Sequence, residues 1–246
     1  MPRFFVAGAN LSGGVAVLQG EDAEHVKVLR MRVGEHLVLC DGAGTDYACR
    51  LTRVGDDAAW AEVLGAAPSQ AEPTVRVTVC AAMPKGDKAE AIVQKCTEAG
   101  AAGILFFFSA RCVAHPKEEA MQKRLTRLRR VAEEAAKQSG RGIVPAVSAA
   151  EDLAGAISAA LKTELPLLMY ETGDDRQPLR AVLHAAGEFR SCAVVTGPEG
   201  GFAPHEAELC RAAGLKICSM GPRILRCETA PLVALTAVMV ETGNLE

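Results

Sequence analysis

The chain has no apolar run long enough to cross a membrane. Its most apolar late stretch, Leu232–Val240, falls far short of the ~20 residues a spanning helix needs. No apolar region with a cleavage site follows the early Arg3, so a secretory leader is not expected. The nine cysteines include no CxxC pair, and an odd number cannot form a closed disulfide set. Most are expected to be reduced, buried and structural, in a cytoplasm-like compartment. The five histidines, His25, His36, His115, His184 and His205, show no ligand spacing, so no metal is expected. A net charge of −3 gives no global sign of nucleic-acid binding, so any such surface must be local. Internal repeats and low-complexity tracts are also missing.

What remains is an ordinary globular composition, 49% apolar and 23% charged, over 246 residues. That length allows two modest domains or one large one. The first seventy residues read as β-rich, with strands at Phe4–Val6, Leu37–Cys40, Tyr47–Thr52 and Ala58–Val63 between Gly/Asp turns such as Asp41–Gly44. A short helix over Glu21–Met31 completes a small barrel-like module. Gly65–Pro73, rich in Gly, Ala, Pro, Ser and Gln, reads as a linker.

The pattern then changes to strand–helix alternation. Strands are expected at Val75–Ala81, Ile104–Phe108, Leu167–Tyr170, Ala193–Val195 and Leu215–Cys218. Helices are expected at Lys88–Ala99, Glu118–Gln138, Pro204–Ala213 and Pro231–Thr242, the first and third stopped by Gly100 and Gly214. Such alternation implies an α/β domain with a mostly parallel sheet, whose ligands bind outside the carboxyl ends of the strands.

Two glycine-bearing segments fall at such ends: Thr196-Gly197-Pro198-Glu199-Gly200-Gly201, and Ser219-Met220-Gly221-Pro222-Arg223-Ile224-Leu225-Arg226-Cys227-Glu228-Thr229-Ala230. Glycine lets backbone N–H and C=O groups approach a ligand where side chains would block it. Neither the GxxxxGK[ST] phosphate loop nor the early GxGxxG dinucleotide turn is present, which leaves a plain strand–helix turn or a different nucleotide-like ligand. In the second segment Arg223, Arg226 and Glu228 crowd a loop before an apolar helix. They are either an Arg226–Glu228 ion pair at a helix start or a ligand site.

Taken together the segments resemble a known family. TGPEGGF followed by MGPRILRCETA is similar to the cofactor signature of the RsmE-type ribosomal RNA methyltransferases of the SPOUT superfamily. Upstream, Lys85–Lys88 through Gln94–Gly100 resembles the family's first helix, and Glu134–Arg141 with Pro145 its AxxQSxR segment. Pro2–Phe5, His25–Arg30 and Asp41-Gly42 resemble its small PUA-like domain. Departures are mild: Ala99 and Met220 stand where leucine is usual, and Cys227 where threonine is common.

The resemblance implies an RNA-binding PUA-like β-barrel over 1–70 and a SPOUT domain with a deep trefoil knot over 74–246. It further implies S-adenosylmethionine as cofactor, held by Met169, Tyr170, Thr196, Gly197, Glu199, Gly200, Gly201, Met220, Gly221, Ile224 and Leu225. The implied reaction is methylation of N3 of a uridine in 16S rRNA of the small subunit, with Arg226 and Glu228 as catalytic candidates. It implies a homodimer through the knotted region; Leu232–Val240 is apolar enough on all faces for that, or for an internal core helix.

Between Arg111 and Arg141 nine Lys/Arg face four acids, a concentrated basic stretch in an acidic chain. Leu125, Leu128, Ala132 and Ala135 form its apolar stripe, so most charges should face solvent, either merely solvated or on RNA phosphates. RNA contacts are expected from Arg111, Lys123, Arg127, Arg130, Gln138 and Arg141, extended by Arg3, Lys27, Arg30 and Arg32 on the small domain. The rival readings are a knotted methyltransferase acting on another RNA position, a non-catalytic RNA-binding assembly factor, and a generic nucleotide-binding protein.

Overall fold

The computed structural model describes residues 1–6, 14–112, 117–173 and 175–245. Of the expectations above, His115 lies outside them. Two compact units emerge: residues 1–72 with 136–144, and residues 73–135 with 145–246. The first unit is thus discontinuous in sequence, with the stretch 136–144 returning to it.

The first unit holds β1 (Arg3–Phe5), β2 (Val15–Gln19), α1 (Glu21–Val28), β3 (His36–Cys40), β4 (Thr45–Val54) and β5 (Ala58–Pro68). The strands form one sheet of order β1-β3-β4-β5-β2, antiparallel except for β1 on β3. Among the described residues β1 and β2 are the two outer strands of this five-stranded sheet. Alternation along β2 and β3 turns Ala16, Leu18, Leu37 and Leu39 inward onto Phe4, Val26 and Leu51. The expected linker is shortened: β5 takes up its first four residues and ends at Pro68, pairing Ala66 with Tyr47 and Pro68 with Thr45. Small residues there fit a pleated strand as well as a loop, and composition could not separate the two.

Arg141 is the hinge of this unit's polar network. It is 3% exposed, and its guanidinium lies 2.6 Å from the Glu72 carboxylate. Glu72 Oε1 also accepts the amides of Gly142 and Ile143, at 2.8 and 3.0 Å. Arg3 donates to the Arg141 carbonyl and pairs with Asp46. Burial opposes the Glu72 charge, but the Arg141 hydrogen bond and charge and the two amides outweigh it and hold its carboxyl below the usual range. Such a group adds stability above its unfolded pKa, and that stability is lost as pH falls through the folded one. Glu72→Gln should cost about 3 kcal/mol, because it leaves a buried guanidinium without its counter-charge. Denaturant melts from pH 7 to 3 should show the deficit at neutral pH shrinking as the wild-type carboxyl protonates; an equal deficit at every pH would contradict this account.

The second unit contains β6 (Arg76–Ala82), α2 (Lys88–Glu98), β7 (Gly103–Phe107), α3 (Glu118–Ser139, its last turn in the first unit), β8 (Ala146–Ala149), α4 (Leu153–Ala160), β9 (Leu165–Met169), β10 (Gln177–Pro178), α5 (Leu179–Ala186), β11 (Ser191–Thr196), α6 (Pro204–Ala213), β12 (Lys216–Ser219) and α7 (Ala230–Glu241). Its seven-stranded sheet has the order β10-β12-β9-β11-β6-β7-β8, and every pairing is parallel. Parallel strands are covered on both faces, which is why β11 reads as a continuous apolar run with five of its six residues buried. β12 enters between β10 and β9, inside the sheet rather than at its edge.

The short elements β8, α4, β10 and α5 were not legible in the sequence. Ala-rich α4 carries no polar stripe, though Asp152 caps it by accepting the Gly155 amide at 2.9 Å. Helix α7 buries Ala234, Leu235, Val238 and Met239 against its own unit, as the core-helix reading required, and leaves Val233 and Val240 exposed. Eight of the nine cysteines are buried and all are free. Among the described residues no helix is long and apolar enough to cross a membrane, and no group of three His, Cys, Asp or Glu could hold a metal ion.

Candidate active site

Strands β12, β9 and β11 are neighbours in the sheet, so their carboxyl ends open on one place. Met169 and Tyr170 leave β9, Thr196–Gly201 leaves β11, and Ser219–Arg226 leaves β12. Together they wall a cavity of about 500 Å³, within the usual range for a small-molecule site. All eleven residues expected to hold the cofactor line it, as does Arg226. Lys88, from the start of α2, and Glu171, just past β9, also line it; the sequence reading did not place them there. The only early signal for Lys88 was its position in the Lys85–Lys88 motif ahead of a helix.

The turn after β11 is held from several sides. Phe202 packs under Gly197, stacks on Phe107 at 6.3 Å, and would meet a Cβ at position 197 at 3.2 Å. Arg111 donates to the Gly200 carbonyl at 2.9 Å. Buried Glu206 accepts the amides of Ala110 at 2.9 Å and Ala203 at 2.8 Å, tying the segment after β7 to the start of α6. Gly201 sits at φ +65°, where a Cβ would lie 2.3 Å from Glu171 Oε1. Gly221, at φ +100°, has open space where its Cβ would be. Its need is conformational rather than steric.

A charged cluster borders the cavity. Lys88 Nζ lies 3.0 Å from Glu199 Oε1 and 3.7 Å from Glu228 Oε2. The Cys227 thiol donates to Glu228 Oε2 at 3.2 Å, and the Lys85 amide donates to Glu199 at 3.1 Å. The hydrogen bond to Glu199 raises the Lys88 pKa against desolvation, so the ammonium stays charged. Glu228 is held below the usual carboxylate range, first by its own backbone amide, against desolvation, then by Cys227, Lys88 and Arg226. Burial and the bond to Glu228 push the Cys227 thiol up to about 12.

The ion pair considered between Arg226 and Glu228 is not what forms. Glu228 goes to Lys88, and the exposed Arg226 guanidinium makes no hydrogen bond or ion pair among the described residues. Arg226 is thus a cation at a cavity wall with its donors unspent.

The expected RNA-contact residues divide. In the second unit Lys123 and Arg130 are exposed, Arg127 is exposed while paired to Glu90, and Arg111 is exposed but committed to the Gly200 carbonyl. In the first unit Arg30, Arg32 and Gln138 are exposed, and Lys27 pairs with Glu24. Arg141 and Arg3, 3% and 13% exposed, are spent on Glu72 and Asp46. Their basic character signalled internal pairing, which charge counting along the chain could not distinguish from a phosphate surface.

A parallel-sheet unit with a ligand cavity at its strand ends, following a small β unit, matches the RNA methyltransferase domain family over residues 70–239. Residues 18–64 match the RNA methyltransferase PUA domain. A ribosomal RNA small subunit methyltransferase E from Mycobacterium bovis is 36% identical, with 98% of this chain and 92% of that protein covered. Its Bacillus subtilis counterpart is 32% identical, with 93% and 91% covered. The crystal structure of a ribosomal RNA small subunit methyltransferase E from Neisseria gonorrhoeae bound to S-adenosyl methionine is 31% identical, with a TM-score of 0.84 over 98% of this chain and 97% of that one. This chain belongs to the ribosomal RNA small subunit methyltransferase E family.

The cavity is chemically suited to S-adenosylmethionine. The Thr196 hydroxyl is buried at its wall without a hydrogen-bond partner among the described residues, so a ligand polar group would supply what the protein does not. Met169, Ile224 and Leu225 offer apolar wall, Ile224 being 84% exposed, while Glu171 and Glu199 offer carboxylates. Lys88, Arg223 and Arg226 line it too, so the wall carries both signs, as S-adenosylmethionine does with its carboxylate, ammonium and sulfonium.

Proposed function

We propose that this chain methylates N3 of one uridine in small-subunit ribosomal RNA with S-adenosylmethionine. The observation that carries the reading is the cavity itself: three parallel strand ends, two glycine turns and an unpaired Arg226 at one wall. When bound, S-adenosylmethionine supplies an electrophilic methyl group on a sulfonium sulfur. Met169, Tyr170, the Thr196–Gly201 turn and Met220–Leu225 would hold it.

N3 lies on the Watson–Crick edge, so the base must be unpaired or flipped to reach the cavity. N3 would release its proton to water and take the methyl group that the sulfonium supplies, leaving a neutral thioether. Negative charge builds on the uracil oxygens as the proton leaves, and Arg226 has five N–H donors to place against it. Glu228 is a weak acceptor for an imide proton, because its carboxyl is held below its usual range and a good general base titrates near the working pH. Glu228→Gln should therefore cost about tenfold or less in single-turnover rate, not the 10²–10⁴ of a lost general base. A loss of that larger size would restore Glu228 as proton acceptor.

Exposed Lys123, Arg127, Arg130, Arg30 and Arg32 would contact phosphates, giving binding that weakens steeply with salt. A cytoplasmic homodimer through the last helix belongs to the same reading, and sedimentation that returned only monomer mass would remove it. The test of the reaction is to incubate purified protein, labelled S-adenosylmethionine and small subunits lacking the modification, then map methylated nucleosides by mass spectrometry. A single 3-methyluridine is the expected product. A different methylated nucleoside would move the chain to another RNA position, and cofactor binding without transfer to any RNA would favour the assembly-factor reading.

A further inference from the structure

We propose that Lys88 is a positioning residue which holds Glu228 away from Arg226 and so keeps that guanidinium unpaired for the substrate. The inference rests on the catalytic reading of the cavity. Two carboxylates from separate turns meet Lys88: Glu199, after β11, lines the cavity, and Glu228, before α7, stands just outside its lining. Glu228 stands two residues from Arg226 in the same loop and already feels its charge. A carboxylate and a guanidinium so placed form strong, often bidentate pairs, which would consume the donors that Arg226 needs for the uracil oxygens.

The structure shows the carboxylate directed elsewhere. Lys88 Nζ sits 3.7 Å from Glu228 Oε2, 3.0 Å from Glu199 Oε1 and 3.8 Å from Cys227 Sγ. The Cys227 thiol fixes the same Glu228 oxygen at 3.2 Å, so two groups hold it on the Lys88 side. Glu199 is anchored by the Lys85 amide at 3.1 Å, which fixes Lys88 in turn. An ammonium suits this role, because three donors on a compact point charge can serve two carboxylates at once. Lys88 need not touch the substrate; it decides which charge Arg226 sees.

The test compares Lys88→Met, Glu228→Gln and their combination on unmodified small subunits, with S-adenosylmethionine affinity measured by calorimetry. Lys88→Met should lower kcat by at least about tenfold at saturating S-adenosylmethionine, since outright loss of a charge-stabilising donor costs about 10²–10³; any change in cofactor affinity, which the loss of the Glu199 contact can cause, is read separately by calorimetry. Lys88→Met/Glu228→Gln should return to the rate of Glu228→Gln alone, and Lys88→Arg should keep most of the wild-type rate. A crystal structure of Lys88→Met should place the Glu228 carboxylate within ion-pairing distance of Arg226. A double variant as slow as Lys88→Met would overturn the proposal, because a merely structural lysine is not rescued by removing a carboxylate. A Lys88→Met structure with Arg226 still unpaired would overturn it too. Wild-type protein that methylates no RNA in the same assay would defeat the functional reading instead, and the Lys88→Met structure would still decide this one.

Discussion

Arg226→Ala should reduce methyl transfer by about 10²–10³, the loss seen when one preorganised donor to a developing charge is removed, while S-adenosylmethionine binding stays near wild type. The separation follows from geometry. Arg226 is exposed at the cavity wall and makes no hydrogen bond or ion pair among the described residues, so its loss leaves no buried group unsatisfied. The helix start is held independently: the Arg226 carbonyl accepts the amides of Thr229 and Ala230, both at 2.9 Å, and alanine keeps that carbonyl. Single-turnover kinetics on unmodified subunits would give the rate, and calorimetry the cofactor affinity. Parallel losses in both would make Arg226 part of the cofactor pocket. An unchanged rate would remove it from the chemistry altogether.

Gly201→Val should abolish measurable cofactor binding. The backbone at φ +65° is a region that β-branched residues scarcely populate. Even a single Cβ would lie 2.3 Å from Glu171 Oε1. Glu171 can swing aside, but it lines the cavity and its movement would take up space there. The strained φ persists whatever Glu171 does, at about 1–2 kcal/mol for a left-handed non-glycine residue.

Combined, these effects should weaken binding by at least about a hundredfold, or about 2.7 kcal/mol. A thermal-shift series reads this directly, because a ligand at 100 times its Kd stabilises by about 2.7 kcal/mol and the variant should show almost none of it. Gly201→Ala should fall between, and Gly201→Ala/Glu171→Ala should recover unfolding midpoint without regaining full cofactor affinity. A valine variant that binds normally would mean the turn can rearrange, and that Gly201 is not what shapes the cavity.

Much of the site was legible because its signals are local. Thr196–Gly201 and Met220–Leu225 follow apolar strand runs, and ligands of parallel sheets sit at the carboxyl ends of their strands. The three strand ends do converge, since β12, β9 and β11 are adjacent. The missing elements failed for a physical reason. Ala-rich α4 lacks a polar stripe and β10 is two residues long, so neither carries a period to detect. The strand hidden in the supposed linker failed similarly, since Gly65, Ala66 and Ala67 become strand only through their partners in β4.

The sequence carries the parallel α/β character of the larger part and the two glycine turns that wall the cavity. These depend on apolar runs, glycines and helix stops, whose physics acts over a few residues. Tertiary structure alone decided where the charges go. Arg141 looked like a phosphate contact and became the buried partner of Glu72; Glu228 looked like the partner of Arg226 and went to Lys88. A long charged side chain reaches any opposite charge the fold brings near, often from distant sequence. Pairing is therefore settled by packing and desolvation in three dimensions, and those pairings left Arg226 free.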